Sequence, residues 1–299
     1  MKKETVFSSH FSALTALFIL GNGVMVLPVK GADEYSFLGY LISIAIAFLL
    51  YFAVIPVANR LFADNKSGNL RAYKKILLTI IYLFTAVLAV LYAAETFLSF
   101  ISFASTVLLK SYPKWVAVLI FLAVIAFFLL RRQEDFLKFT LLAFCFTAAV
   151  IVFFFIASVK NLDFNNIVIL NIPNFKELLP QIKTYALNPV LPTLLMAVYG
   201  NIVFKKSRPK ETFWGLGLGF TLLAMCILNS VLLFGAHFAA ALDYPYASAV
   251  STVTIGRLFT RLDGFSYFVY FASALAKIIV CLFITRSMLK KANKLKCKD

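Results

Sequence analysis

Charged residues, histidines and paired cysteines are scarce in this sequence. Only 14% of its 299 residues are charged, and two are His. The four cysteines form no CxxC pair and three of them lie inside apolar runs, which argues against a disulfide framework and against a zinc site. The sequence also contains no Walker loop and no nucleophile–base arrangement. We therefore expect neither an enzyme nor a bound cofactor or metal.

Apolar residues are abundant instead. They make up 62% of the chain, which includes 33 Phe, and the mean hydropathy is +0.90. A water-soluble domain of this size could not bury so much apolar surface, so the solvent must be a lipid bilayer. We therefore predict an all-α polytopic membrane protein in which residues 1–299 form a single transmembrane domain.

Eight runs are apolar enough and long enough to be membrane-spanning helices, which need about 20 residues each. They cover residues 7–29, 37–59, 74–109, 114–131, 136–158, 177–204, 212–240 and 264–289. The third run is too long for a perpendicular span and is expected to tilt or to project from the membrane. Segment 241–263 is too polar to span, and Asp243 and Pro245 predict a short interfacial helix there, on the outer side.

The net charge of +16 is distributed in short clusters between the apolar runs, which is not the pattern of a nucleic-acid-binding surface. With eight spans, 20 of the 29 Lys and Arg residues fall on one side of the membrane and eight on the other. Positive charge is retained on the cytoplasmic side, so both termini are predicted to be cytoplasmic. The basic tail at 290–299 is explained either as a topology anchor or as a contact with anionic lipid.

Two charged residues, away from the ends of their spans, are placed at bilayer depth, where a central charge costs about 2.5–3.5 kcal/mol. Glu95 is in span three and Lys277 is in span eight, and each belongs to a polar stripe at helical spacing. The stripes are Glu95, Ser99, Ser102 and Thr106 in span three, Ser266, Tyr270, Ser273 and Lys277 in span eight, and Ser8, Ser12, Thr15 and Asn22 in span one. Two interpretations stay open. Either Glu95 and Lys277 form an interhelical ion pair while Ser and Thr bond to their own backbones, or the stripes line a ligand or ion cavity.

Span one is interrupted near its centre by Gly21, Asn22 and Gly23, and Pro28 follows. Two glycines on either side of an asparagine favour local unwinding. Unwound backbone at membrane depth is tolerated only where protein, water or a ligand satisfies it. The alternative is that the glycines simply allow a close helix contact.

Span six has a comparable interruption. Pro189 and Pro192 lie near its middle, and Tyr199 and Gly200 follow. Interrupted spans that are five apart fit an inverted repeat of five helices, in which the two breaks form a binding site. The alternative is a simple proline kink with no site attached. In span seven, Asn229 is expected to bond to a neighbouring helix.

Several segments occur in the order and spacing of a known family. They are LFILGNGVMVLP, AAETFLSFISFASTVLLKSYPKWVAV, FGAHFAAALDYPYASAVSTVTIGRLFTRLDGF and ALAKIIVCLF. In these segments the chain resembles the B subunits of spore-germination nutrient receptors (the GerAB type), which belong to the amino acid–polyamine–organocation (APC) transporter superfamily. The resemblance runs from span one to span eight, out of the ten spans of the family fold.

The resemblance implies an APC/LeuT-like inverted-repeat bundle that lacks the last two helices. Its first and sixth helices would be broken around a small-molecule site, which the third and eighth helices would bound. The substrate-binding residues implied are Gly21, Asn22, Gly23, Glu95, Tyr199, Gly200 and Lys277. It also implies the inner membrane of a spore, with a germinant-receptor A subunit and a lipoprotein C subunit as partners.

The leading hypothesis is therefore a receptor subunit that binds a nutrient, with an amino acid as the expected ligand. The ligand's carboxylate would meet backbone N–H groups at Gly21–Gly23, while Lys277 and Glu95 would set the electrostatics of the cavity. One alternative is a proton-coupled secondary amino-acid transporter in which Glu95 exchanges the proton. Another is a structural membrane subunit that binds no ligand.

Overall fold

The computed structural model describes residues 8–24, 36–63, 72–109, 111–131, 133–167, 179, 182, 189–200, 209–253 and 263–296. Within these ranges the secondary structure is helical and no strand occurs. The longer helices are α1 (Ser8–Gly23), α2 (Ser36–Ala63), α3 (Ala72–Phe103), α4 (Lys114–Leu130), α5 (Gln133–Ser158), α6 (Pro189–Gly200), α7 (Pro209–Phe234) and α10 (Asp263–Lys296). Between α7 and α10 the chain forms two short helices, α8 (Ala236–Ala241) and α9 (Pro245–Ser251). A π-helical turn, Ala104–Leu108, extends α3.

Five of these helices are long and apolar enough to cross a membrane. The candidate spans are Phe37–Pro56, Lys75–Leu108, Gln133–Asn161, Lys210–Phe234 and Gly264–Asn293. The shorter apolar helices Ser9–Gly21, Lys114–Leu130 and Pro189–Gly200 fall inside three further runs that the sequence predicted to span. An all-helical membrane protein is therefore confirmed, as is the long third helix, whereas the count of eight spans stays a prediction.

The helix directions follow from pairs of contacts between α3 and α10. Near the end of α3, the rings of Phe103 and Tyr270 lie 4.4 Å apart between centroids. Earlier in α3, Tyr92 contacts Lys277, which comes later in α10. The two helices are therefore antiparallel, as spans three and eight must be if the chain crosses the membrane alternately.

Helices α1 and α7 run parallel and approach each other closely at small residues. A Cβ atom added at Gly215 would lie 2.5 Å from the carbonyl oxygen of Ser12, and one added at Gly219 would lie 3.0 Å from the Cα of Ala16. The spacing Gly215-xxx-Gly219 is the small-residue pattern that lets membrane helices bring their backbones together. If the predicted spans cross the membrane alternately, spans one and seven run in the same direction, which agrees with this parallel packing.

Helix α1 lies in the centre of the bundle. Its residues from Ala13 to Leu20 are all at most 4% exposed, on every side of the helix. A helix that is apolar all round is expected to be surrounded by protein. Helices α7, α10 and α5 supply most of that surrounding protein, so the residues at the end of α1 are placed deep within the molecule.

The short helix predicted within 241–263 is present as α9, but it does not lie on the surface. Most of its residues are buried, including Pro245 and Tyr246, and it packs against α7 and α10. The helix is therefore covered by protein and does not lie free on the surface, whereas its depth relative to the membrane stays a prediction. Alanine, valine and tyrosine give this segment a buried face between its polar flanks.

Candidate functional site

Lys277 is wholly buried in the middle of α10, with 0% of its surface exposed. Its Nζ lies 3.4 Å from the centroid of the Tyr92 ring of α3 and makes no hydrogen bond to any described residue. A cation held over an aromatic face gains about 2 kcal/mol or more when desolvated. The ring therefore stabilises the ammonium in part, but its N–H donors have no acceptor.

Gly21 brings α1 directly against this lysine. A Cβ at Gly21 would lie 2.8 Å from Cδ and 2.9 Å from Cβ of Lys277, and 3.0 Å from the carbonyl oxygen of Ser273. All three distances are shorter than ordinary van der Waals contact, so only glycine fits there without a shift of α1 or α10. The structure thus brings together Gly21 and Lys277, two of the residues that the sequence singled out.

The other two residues of the Gly-Asn-Gly segment continue the helix. α1 is helical through Asn22 and Gly23, and the N–H of Val24 still donates to the carbonyl of Leu20 at 3.1 Å. Gly23 leaves room for the side chain of Leu223. Unwinding at these residues is therefore not observed, and the alternative of close helix packing applies to both glycines. Residues 25–35, with Pro28, lie outside the described ranges.

The sequence predicted free backbone N–H groups at Gly21–Gly23 that would bind a carboxylate, and this end of α1 does not offer them. In a continuous helix the N–H groups of Gly21, Asn22 and Gly23 are used by carbonyls one turn earlier, so within the described residues the groups that remain at this end of α1 are carbonyls. The C-terminus of a helix carries partial negative charge and favours cations. The end of α1 therefore suits the ammonium of Lys277 or of a ligand, and it does not suit a carboxylate.

Glu95 lies one helical turn after Tyr92 on α3, and its side chain is exposed. It acts electrostatically on Lys277, but within the described ranges no ion pair joins the two side chains. In the rest of the predicted stripe on span three, Ser102 and Thr106 are also exposed and Ser99 is half-buried. The interior is therefore lined by the stripe of α10, whose four members are all buried, and not by that of α3.

Tyr199 and Gly200 lie at the other end of α1. Tyr199 is 1% exposed and stacks on Phe11, with 6.1 Å between ring centroids. Gly200 also lies against Phe11. Because Phe11 and Gly21 are ten residues apart in a continuous helix, these residues are about 15 Å from Lys277 along α1. The structure does not place all seven predicted site residues together, and residues 201–208, where a break after Gly200 would fall, lie outside the described ranges.

Many hydroxyl groups in the described helices bond to their own backbone. Thr15 donates to Phe11, Thr96 to Tyr92, and Ser273 to Val269, at 2.8, 2.8 and 2.6 Å. These bonds satisfy the hydroxyls within one helix, as one of the two interpretations of the stripes proposed. They leave Lys277 as the polar group of this region that still needs a partner.

Further polar side chains are buried near the start of α10, and the hydroxyls of Tyr40, Tyr246 and Tyr270 make no well-formed hydrogen bond to a described residue. The Tyr246 hydroxyl of α9 lies beside the thiol of Cys226 on α7, and the Tyr270 hydroxyl lies near the backbone of Ala247. Asn229, one turn further along α7, pairs neither its amide nitrogen nor its oxygen with a described residue. The expected bond from Asn229 to a neighbouring helix is therefore not found in the part of the chain that the structure describes.

Five buried polar side chains are referred to together as the polar column, namely Lys277, Tyr270, Tyr246, Tyr40 and Asn229, and the rings of Tyr246 and Tyr270 lie 6.4 Å apart between centroids. Tyr270 and Lys277 are seven residues apart on one face of α10, which is about 10 Å. The column offers one cation and several neutral hydrogen-bonding groups. Within the described ranges no three metal-ligating side chains converge. Such an arrangement can bind a small polar molecule that carries an anionic group.

The fold and this interior define a polytopic helical membrane protein with a polar core. The comparisons with known proteins supply the family: the spore permease model, described as spore germination protein, matches residues 5–298. The chain therefore belongs to the spore germination protein family, and the resemblance to GerAB-type permeases seen in the sequence is confirmed. Neither a curated protein nor a solved structure matches the chain significantly.

Proposed function

We propose that this chain is the membrane subunit of a germinant receptor that binds an amino acid inside the bundle and passes the signal to partner subunits. The observation that carries the proposal is the buried, unpartnered ammonium of Lys277. Membership of the spore germination family supports the biological setting. The partners of the proposal are a receptor A subunit and a lipoprotein C subunit, in the inner membrane of a spore.

The energetics favour a ligand with a carboxylate. A charge in the centre of a spanning helix costs about 2.5–3.5 kcal/mol, and the Tyr92 ring offsets about 2 kcal/mol of that. A carboxylate beside Lys277 would add the counter-charge and the hydrogen-bond acceptors that the described side chains do not provide. Charge-assisted hydrogen bonds of this kind are roughly twice as strong as neutral ones.

The surroundings of Lys277 also suit the α-ammonium group of an amino acid. The carbonyl groups at the end of α1 attract an ammonium, and Gly21 brings that end into contact with Lys277. The neutral groups of the polar column, such as Tyr270 and Asn229, extend away from Lys277 and would meet a polar side chain. The proposed site thus consists of Lys277 for the carboxylate and the carbonyl end of α1 for the ammonium.

The test is ligand-dependent thermal stabilisation of the full chain in mild detergent, measured over a panel of the common amino acids. At least one should raise the unfolding temperature in a saturable manner, since ligands that bind only the folded state stabilise it. Lys277→Met should abolish the shift and should itself be more stable than the native chain without ligand, because a buried unpaired charge is removed. The matched control is Lys160→Met, at an exposed lysine outside the bundle, which should keep the shift.

Two results would overturn the proposal. One is a shift that survives in Lys277→Met as fully as in Lys160→Met, which would place binding elsewhere. The other is the absence of any shift across the panel, which would favour a structural subunit that binds no ligand.

A proton-coupled amino-acid transporter is the second candidate, and the position of Glu95 favours it. This carboxyl is exposed, lies one turn from Tyr92 and acts electrostatically on Lys277, so proton exchange at Glu95 would alter the site. In sealed vesicles that contain the chain alone, a transporter would accumulate a labelled amino acid in response to a proton gradient, and Glu95→Gln would stop it. A receptor subunit would bind the amino acid and show no such accumulation.

A further inference from the structure

A second polar region lies at the end of the bundle where α4 ends and α5 begins. A cavity of about 320 Å³ is found there. It is lined by Leu129, Arg131, Gln133, Tyr199, Phe283, Arg286, Ser287 and Lys290. Three of these side chains are cationic, and the residues that line the cavity include no carboxylate. We refer to this cavity as the cationic pocket.

The cationic pocket is separate from the site proposed around Lys277. Arg286 and Lys290 follow Lys277 by nine and 13 residues in the continuous helix α10, which places them about 14 and 20 Å further along it. The floor of the pocket includes Tyr199, which stacks on Phe11 near the start of α1. A ligand in one site therefore does not contact the other.

The side chains of the pocket are arranged to hold an anion. The guanidinium of Arg131 lies 5.2 Å from the centroid of the Phe127 ring, which holds its planar group in place. Gln133 is the first residue of α5, and the N-terminus of a helix favours negative charge. The nearby carboxylates Glu134 and Asp135 do not line the pocket. The charged side chains that line the pocket are therefore all cationic.

The pocket also has an apolar wall, formed by Leu129 and Phe283. Cations beside apolar side chains at the end of a helical bundle are typical of sites for phosphate-bearing lipid headgroups. The sequence predicts that this end faces the cytoplasm, where anionic lipids are concentrated. The volume is sufficient for a phosphate group with a small substituent.

We propose that the cationic pocket binds a phosphate-bearing anion, with Arg131, Arg286 and Lys290 as the contacts to the phosphate. The phosphate can belong to an anionic phospholipid of the surrounding bilayer or to a soluble molecule. Both sources would place the same phosphate group in the pocket. A lipid probe and a soluble phosphate probe, tested in separate titrations, distinguish them.

The experiment measures the unfolding temperature of the full chain in neutral detergent at constant ionic strength. One arm titrates a short-chain phosphatidylglycerol against phosphatidylcholine, and the other titrates inorganic phosphate against chloride. The pocket variant is Arg286→Gln with Lys290→Gln. The matched control is Lys138→Gln with Lys210→Gln, which removes the same charge from two exposed lysines that do not line the pocket.

The proposal predicts a saturable shift with at least one anionic probe and an apparent affinity about thirtyfold weaker in the pocket variant, the combined effect of two surface cations. The control pair should lose no more than about threefold. A shift with phosphatidylglycerol alone identifies a lipid, and a shift with inorganic phosphate identifies a soluble anion. Equal losses in the two double variants, or equal retention, would refute the proposal.

Two further measurements apply if the pocket variant does not fold. The native chain itself must respond to an anionic probe, and no response to either probe overturns the proposal. Ser287→Glu keeps all three cations and adds a carboxylate inside the pocket, so it should abolish the shift. A full shift in this variant would show that the anion binds elsewhere.

Discussion

The close contact between α1 and α7 gives a sharp prediction for Gly215→Ala. The added Cβ would lie 2.5 Å from the carbonyl oxygen and 3.0 Å from the Cα of Ser12, and 2.6 Å from the Cβ of Thr15. Ordinary contacts of this kind are 3.4–4 Å. Two of the three atoms belong to the backbone, so no change of rotamer relieves the overlap. The two helices must instead separate by about 1 Å at this level.

The magnitude follows from two opposing effects. Overpacking in a well-packed interior costs about 1–3 kcal/mol. Replacing a glycine by alanine in a helix returns up to about 1 kcal/mol. With the full return, Gly215→Ala should therefore lower the free energy of unfolding by up to about 2 kcal/mol. Gly217→Ala is the matched control, because no atom lies within 4 Å of its added Cβ, and it should be neutral or slightly more stable than the native chain.

The measurement is unfolding of the two purified variants in mixed micelles of a mild detergent and increasing sodium dodecyl sulfate, followed by circular dichroism. The same substitution two residues away separates the packing effect from the change of helix propensity. If Gly215→Ala were as stable as Gly217→Ala, the close approach of α1 and α7 would be refuted.

Three further substitutions test the interior, each by the same unfolding measurement. Gly23→Ala should destabilise the chain, and Leu223→Ala should relieve much of this effect in the double variant, because the three atoms nearest to the new methyl group all belong to the Leu223 side chain. Asn229→Leu should raise the free energy of unfolding by about 1 kcal/mol without ligand, since it removes a buried amide that has no partner. Tyr92→Leu should lower it by up to about 2 kcal/mol, whereas Tyr92→Phe, which keeps the ring under Lys277, should have a much smaller effect.

Hydropathy was sufficient to predict the helical class and the positions of the long helices. The span predicted at 74–109 corresponds closely to the candidate span Lys75–Leu108, and the one at 264–289 lies within Asp263–Lys296. These predictions succeed because a membrane helix must satisfy its own backbone and must be apolar over most of its length. Both requirements concern neighbouring residues in the sequence, so hydropathy along the sequence is sufficient to predict them.

The orientation of each helix about its own axis could not be predicted in the same way. The stripe through Glu95 and the stripe through Lys277 have the same spacing, yet the first is exposed and the second is buried. Periodicity shows that residues share a face, but only the packing of other helices decides which face is covered. The same limit explains why Tyr40 and Tyr246 were missed, since nothing local separates them from the other 11 tyrosines.

The contact between Gly21 and Lys277 links the proposed binding site to the position of helix α1. A ligand shifts a protein between two arrangements only if it interacts differently with each. Among the described residues the ammonium of Lys277 has no hydrogen-bond partner, so a carboxylate that pairs with it would draw the side chain from its place over Tyr92. Because the side chain of Lys277 lies against the backbone of α1 at Gly21, such a movement would release or press on the end of α1. Helix α1 packs along α7 through backbone contacts that cannot adjust by rotamer changes, and the displacement of α1 would therefore move α7 as well.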